Sequence, residues 1–145
     1  MNAKQIFTPD ACKKIEVAIH HAEDLSSGEI RVHAEDLCKG DPYERAIEVF
    51  NGLGMQHTEL RNAVLIYVAI QDKKLAIIGD QGIDKRIQAE GWHQLKTDLI
   101  EGFKQQKYIP SLEVAIENIG KVLHTYFPCL PNDKDELVNT VSIGT

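Results

Sequence analysis

The sequence predicts an α/β domain, a three-layer α/β/α sandwich around a small mixed β-sheet made of a βαβ unit plus a β-hairpin. Three observations predict it. Two apolar runs rich in β-branched residues, 64–70 (VLIYVAI) and 75–78 (LAII), are too short for separate helices and flank the polar stretch Gln71-Asp72-Lys73-Lys74, as in a β-hairpin. The first run is apolar at nearly every position, which is the pattern of a strand covered on both faces. Upstream, residues 28–35 (GEIRVHAE) alternate Ile30, Val32 and Ala34 with Glu29, Arg31, His33 and Glu35, the period of two expected for a strand.

Taken in order, the chain supplies a start signal for each helix between these strands. Thr8-Pro9-Asp10 combines an N-cap, a proline at the first helical position and an acid in the first turn; Ala11, Ile15, Ala18, Ile19, Ala22 and Leu25 then recur at helical spacing. His20 and His21 on this helix read as solvent-facing. The period-two strand at 29–35 reads as an edge or half-exposed strand with one polar face. After it, Asp41, Pro42 and Glu44 form a capping-box pattern, and Ala46, Val49, Phe50 and Leu53 make a buried stripe. Strand, helix and hairpin strand make a βαβ unit with a right-handed crossover and two parallel strands.

Beyond the hairpin, Ile83, Ile87, Leu95, Leu99 and Phe103 mark helical segments, with Gly91 beside Trp92 expected to break a short helix from a longer one. Trp92 reads as core. Pro110-Ser111 opens a last helix carrying Leu112, Ala115, Ile116, Ile119 and Leu123, which Pro128 stops. One domain over residues 1–128 and a tail over 129–145 follow. In the tail Leu137, Val138, Val141 and Ile143 are able to dock or add an edge strand.

Composition narrows the function classes. At 145 residues, 43% hydrophobic and 26% charged, the chain suits one globular core. Twenty-two acidic against 16 basic residues give a formal charge of -6, which argues against nucleic-acid binding and favours cationic partners. Three cysteines at distant spacings, without a C-x-x-C, indicate neither a disulfide framework nor a zinc site. Reduced thiols, the lack of a signal-peptide pattern and the lack of a bilayer-length apolar run lead us to expect a soluble, cytoplasmic protein.

The topology itself nominates a site. If the 29–35 and 64–70 strands are parallel and the hairpin antiparallel, then Glu29, Arg61, Asn62, Asp80 and Asp84 converge at one sheet edge, with His57 and Thr58 in the preceding loop. Clustered carboxylates are costly without a cation, and all-oxygen ligands favour Ca²⁺, or alternatively Mg²⁺, over zinc. The expected metal set is Glu29, Asp80, Asp84 and Asn62. The alternative is structural: Arg61 and Asn62 cap the sheet edge, with Arg61 paired to Glu29 or Asp80, while Gly79 and Gly82 serve tight backbone turns.

The segments SGEIRVH at 27–33, FNGLGMQHTELRNAVLIYVAIQDKKLAIIGDQGI at 50–83, Trp92 and HTYFP at 124–128 resemble a TPM domain over most of residues 8–128. The resemblance implies the α/β/α sandwich already read from the pattern. It also implies roles as unlike as those of a thylakoid-lumen acid phosphatase, a photosystem II repair protein and a nematode receptor modulator, with calcium binding among family members. A phosphatase reading makes Asp80 and Arg61 catalytic, the ion activating water while Arg61 neutralises a phosphate-bearing small molecule. The sequence has no C-x-x-x-x-x-R, D-x-D-x-T or G-x-x-x-x-G-K-[ST] motif to support that chemistry independently. The reading of another class is a non-enzymatic interaction module that uses the sheet edge or the tail to hold a protein partner.

Overall fold

A computed structural model describes residues 1–24, 26–128 and 141–144. The elements are α1 (Ala3–Ile6), α2 (Pro9–Glu23), β1 (Glu29–Glu35), α3 (Pro42–Gly52), β2 (Ala63–Ala69), β3 (Lys74–Gly79), α4 (Gln81–Asp84), α5 (Ala89–Lys104), α6 (Tyr108–Tyr126) and β4 (Ser142–Ile143). The strands lie in the order β3-β2-β1-β4. β1 and β2 are parallel, from Glu29 opposite Ala63 to Glu35 opposite Ala69. β2 and β3 are antiparallel, from Val64 opposite Gly79 to Ala69 opposite Lys74. The βαβ unit and the hairpin therefore form as the pattern predicts.

Alternation along the strands sorts side chains into two cores. Ile30, Val32, Val64, Ile66, Val68 and Ile77 face a layer built from α1, α2, α5 and α6; Leu65, Tyr67, Ala76 and Ile78 face α3 through Ala46, Val49 and Phe50. β2 is buried at all seven positions because both layers cover it. This is an α/β/α sandwich with a mixed sheet. Among the described residues, no helix is long and apolar enough to cross a membrane.

The caps explain where the helices begin. Thr8 Oγ1 accepts the Ala11 N–H at 3.2 Å and Asp41 Oδ2 accepts the Glu44 N–H at 3.2 Å, each satisfying a donor that the first turn leaves open. A short helix not expected from the sequence, α1, precedes α2, and Asn2 and Gln5 close it with a capping box. Its Ala3 N–H donates to Asp36 Oδ1 at 2.6 Å and ties the N-terminus to the end of β1.

Three expectations are corrected. β1 is neither an edge strand nor half-exposed: β4 pairs along its outer side at His33 and Ala34, and Glu29, His33 and Glu35 are 2, 7 and 5% exposed. At its C-terminal end, His33 and Glu35 of the polar face join an internal network rather than facing water. The helix break does not fall at Gly91, which sits in the first turn of α5; the chain breaks between α4 and α5, where Gln88 takes the N-cap position without a side-chain hydrogen bond. The last helix opens at Tyr108, two residues before Pro110, whose ring the first turn accommodates. In the C-terminal segment, Val141 packs on the larger core and Ile143 lies in β4, as a docking tail would; Leu137 and Val138 lie outside the described residues.

Candidate functional site

The edge nominated by topology forms, but as a closed latch. Arg61 Nε and Nη2 donate to the Asp80 carboxylate at 2.6 and 2.8 Å, a bidentate fork. Asp80 Oδ1 also accepts the Gln81 N–H at 2.8 Å, and the backbone locks the same segments together through Asp80 N–H to Ala63 O at 2.9 Å and Gly82 N–H to Arg61 O at 2.7 Å. Arg61 adopts φ 51, a left-handed conformation that a non-glycine residue keeps only when its surroundings hold it. The fork and the two backbone bonds are what hold it.

Both glycines of the segment are explained by close approach. A Cβ on Gly82 would lie 2.2 Å from Leu60 O and 2.5 Å from Arg61 O, and one on Gly79 would lie 2.8 Å from the Trp92 ring. Gly82→Ala should therefore push the latch open at a cost of about 1–3 kcal/mol, read from urea unfolding. Loss of less than about 0.3 kcal/mol would mean that the two backbones separate without resistance. Asp80→Asn should also destabilise, with or without calcium, because it removes an anion from the guanidinium.

The expected three-carboxylate cage is not what this geometry gives. Asp80 is committed to Arg61 and Gln81; Asp84 ends α4 exposed to solvent; and no three Asp, Glu, His or Cys side chains among the described residues come together to hold a metal. The same pairing turns Arg61 and Asp80 into a mutually neutralising pair rather than a phosphate clamp with a separate base. Glu29 registers with Ala63 on the face toward α3, so alternation turns its side chain to the opposite face of the sheet from Asn62. Asn62 is completely enclosed, and neither amide atom has a hydrogen-bond partner among the described residues; Thr58 Oγ1, at 5% residue exposure, is likewise without one. His57 is exposed in the same loop. Outside the latch, Arg61 and Asp80 border a groove of about 210 Å³ floored by Ile78 and walled by Tyr43, Ile47 and Phe50 of α3.

A second polar constellation lies at the other end of β1, and sequence reasoning missed it. Arg45 on α3 donates from Nε and Nη2 to Glu35 at 2.9 and 3.0 Å, Tyr67 Oη donates to the same carboxylate, and His33 Nε2 lies 3.1 Å from it. His33 stacks on Tyr67 with ring centroids 6.0 Å apart, and its Nδ1 lies 2.8 Å from Ser142 Oγ. Burial pushes the Glu35 carboxyl up, but hydrogen bonds from Arg45, Tyr67 and His33 outweigh it and hold it at about 2. Burial lowers the His33 imidazole despite the nearby Glu35, and burial with the Glu35 bond raises the Tyr67 phenol. The arrangement joins β1, β2, α3 and β4 through one buried anion. Its sequence signal was the tyrosine inside an otherwise aliphatic strand opposite a His-x-Glu.

A three-layer α/β/α domain with a latched sheet edge and a buried Glu–Arg–Tyr–His centre is thus the class that the geometry defines. A model of the TPM domain matches residues 1–122, and the chain belongs to the TPM domain family. Among solved structures it is similar to the BA42 protein of the psychrophilic bacterium Bizionia argentinensis, with 42% identity, 94% of each chain covered and a TM-score of 0.88. It also resembles in fold the N-terminal domain of the cg2496 protein of Corynebacterium glutamicum, at 14% identity and a TM-score of 0.66, over 83% of this chain and 76% of that one. No curated protein matches the sequence.

Proposed function

We propose that this TPM domain is a non-catalytic binding domain that takes a divalent cation, calcium ahead of magnesium, at the β1/β2 edge. The observation that carries the reading is Asn62, whose enclosed side-chain amide has no hydrogen-bond partner among the described residues. A buried amide left unsatisfied costs about 1–3 kcal/mol, so a ligand or ordered water that engages its carbonyl recovers that loss. Thr58 Oγ1 offers a second neutral oxygen from the same turn. Hard oxygen donors of this kind suit calcium. Neutral oxygens alone imply weak binding, on the order of 10⁻³ M, rather than the tight binding of a multi-acid cage. Asp80 and Asp84 have no part in this version of the site, and Arg61 shapes the turn that presents Asn62.

The test is a calcium titration followed by backbone amide shifts and by unfolding, with a chelator control. Saturable shifts should centre on Thr58, Asn62 and Ala63, and calcium at one hundred times its dissociation constant should add about 2.7 kcal/mol to stability. Asn62→Leu should abolish the gain, whereas Asp80→Asn should lower the baseline and keep the gain. Shifts that centre on Asp80 and Asp84, or no saturable response, would remove the proposal. Neither Asp80 nor Arg61 is expected to support turnover of a small aryl phosphate.

A further inference from the structure

A cavity of about 330 Å³ lies at the end of the sheet remote from the latch, between the hairpin turn and the α5–α6 connection. Ile70 and Leu75 form one wall, and Phe103 and Tyr108, packed edge to face at 5.1 Å, form the other. Its rim is cationic. Lys73 and Lys74 come from the hairpin and Lys104 from the last turn of α5, and none of the described lining residues is acidic. On a chain whose formal charge is -6, a pocket bordered by the free ammonium groups of Lys73 and Lys104 departs from the prevailing sign. Lys74 Nζ is held by the carbonyls of Cys38 and Gly40 at 3.0 and 2.8 Å; Lys73 and Lys104 make no ion pair with a described residue.

The backbone adds to this field. The last carbonyls of α5, on Glu101, Gly102 and Phe103, are already taken by the N–H groups of Gln105, Gln106 and Lys107, so the negative end of that helix is satisfied. α6 begins at Tyr108 without a side-chain cap, leaving the positive end of a 19-residue helix at the cavity mouth. Lys73 and Gln106, both on the rim, adopt φ 54 and 59, where glycine would be unstrained. Two non-glycine residues thus hold left-handed turns at one opening. The cavity also sits at the carboxyl end of β2, where open α/β sheets commonly bind ligands.

We infer that this cavity binds a small organic monocarboxylate, with its aromatic or short aliphatic body between Leu75 and Phe103–Tyr108 and its carboxylate between Lys73, Lys104 and the start of α6. The volume, near the lower end for ligand pockets, suits a single ring or short chain. The site is separate from the β1/β2 edge and does not depend on metal there.

The probe is 3-phenylpropionate, titrated into the full chain by amide shifts, with 3-phenylpropanol and inorganic phosphate as matched controls. Saturable shifts at Leu75, Phe103 and Tyr108 are expected, with the alcohol binding about tenfold or more weakly because it lacks charge-assisted contacts. Lys73→Gly suits the left-handed turn and keeps the fold while removing a charge; it and Lys104→Gln should each weaken the acid about tenfold and leave the alcohol unchanged. Equal binding of acid and alcohol, the same shifts from phosphate alone, affinity unchanged in both variants, or no saturable shift would each overturn the inference.

Discussion

Arg45→Met should lower the unfolding free energy by about 3 kcal/mol near neutral pH, because it leaves the Glu35 carboxylate buried with only its Tyr67 and His33 contacts. The loss should shrink in acid. Glu35 is held at about 2 against an ordinary value of 4.5, so the folded state binds its proton more weakly than the unfolded state. The sign follows: the stabilisation is fully present above about pH 4.5 and is lost as pH falls toward 2, a span of about 3 kcal/mol. His33, also lowered, acts in the same direction from its ordinary value of 6.5 downward, since an imidazole that resists protonation when folded is protonated more readily in the unfolded chain. Urea unfolding at a series of pH values should show the wild-type curve dropping more steeply below pH 4.5 and approaching the variant near pH 2. Curves that stay parallel across that range would show that Arg45 is not what depresses Glu35.

Tyr67→Ala should cost about 4 kcal/mol, the range for removing a large buried ring. The ring is fully enclosed beneath α3, and its hydroxyl supplies one of the donors on Glu35. Tyr67→Phe separates the two contributions: it keeps the packing and removes a hydrogen bond to a charged group, for a loss of about 1.5–3 kcal/mol. If Phe proved as damaging as Ala, the hydroxyl would carry nearly the whole effect; if Phe were neutral, Glu35 would have no need of the phenol.

The hairpin and the parallel pairing were legible because apolar density and period-two alternation are local signals, and 64–70 has no other way to bury seven residues. The burial of β1 was not. Glu29, His33 and Glu35 on alternate positions look the same whether water or an arginine from another element faces them, and Arg45 lies ten residues from Glu35 on a helix whose packing side was not fixed by pattern alone. Convergence at the edge was readable from topology, whereas the partner chosen by Asp80 was not. A carboxylate beside an arginine and one beside a cation have the same sequence, and the structural alternative, Arg61 with Asp80, is what the distances show. Asn62 belonged to the expected set, yet its isolation emerges only when every nearby donor has been assigned elsewhere.

The short pairing of β4 with β1 has a consequence for how the chain is made. His33 and Ser142 are 109 residues apart, so their contact closes by far a longer loop than the hairpin does, and its entropic cost must be met after local structure has formed. During synthesis β1, β2 and β3 are all available while residue 142 is still to come. The nascent sheet therefore passes through a stage in which His33 and Ala34 of β1 present open backbone groups to other nascent chains, an opportunity for intermolecular strand pairing. Slowing translation of the region before residue 142 should lengthen that exposure and raise the demand for chaperones, without any change to the finished fold.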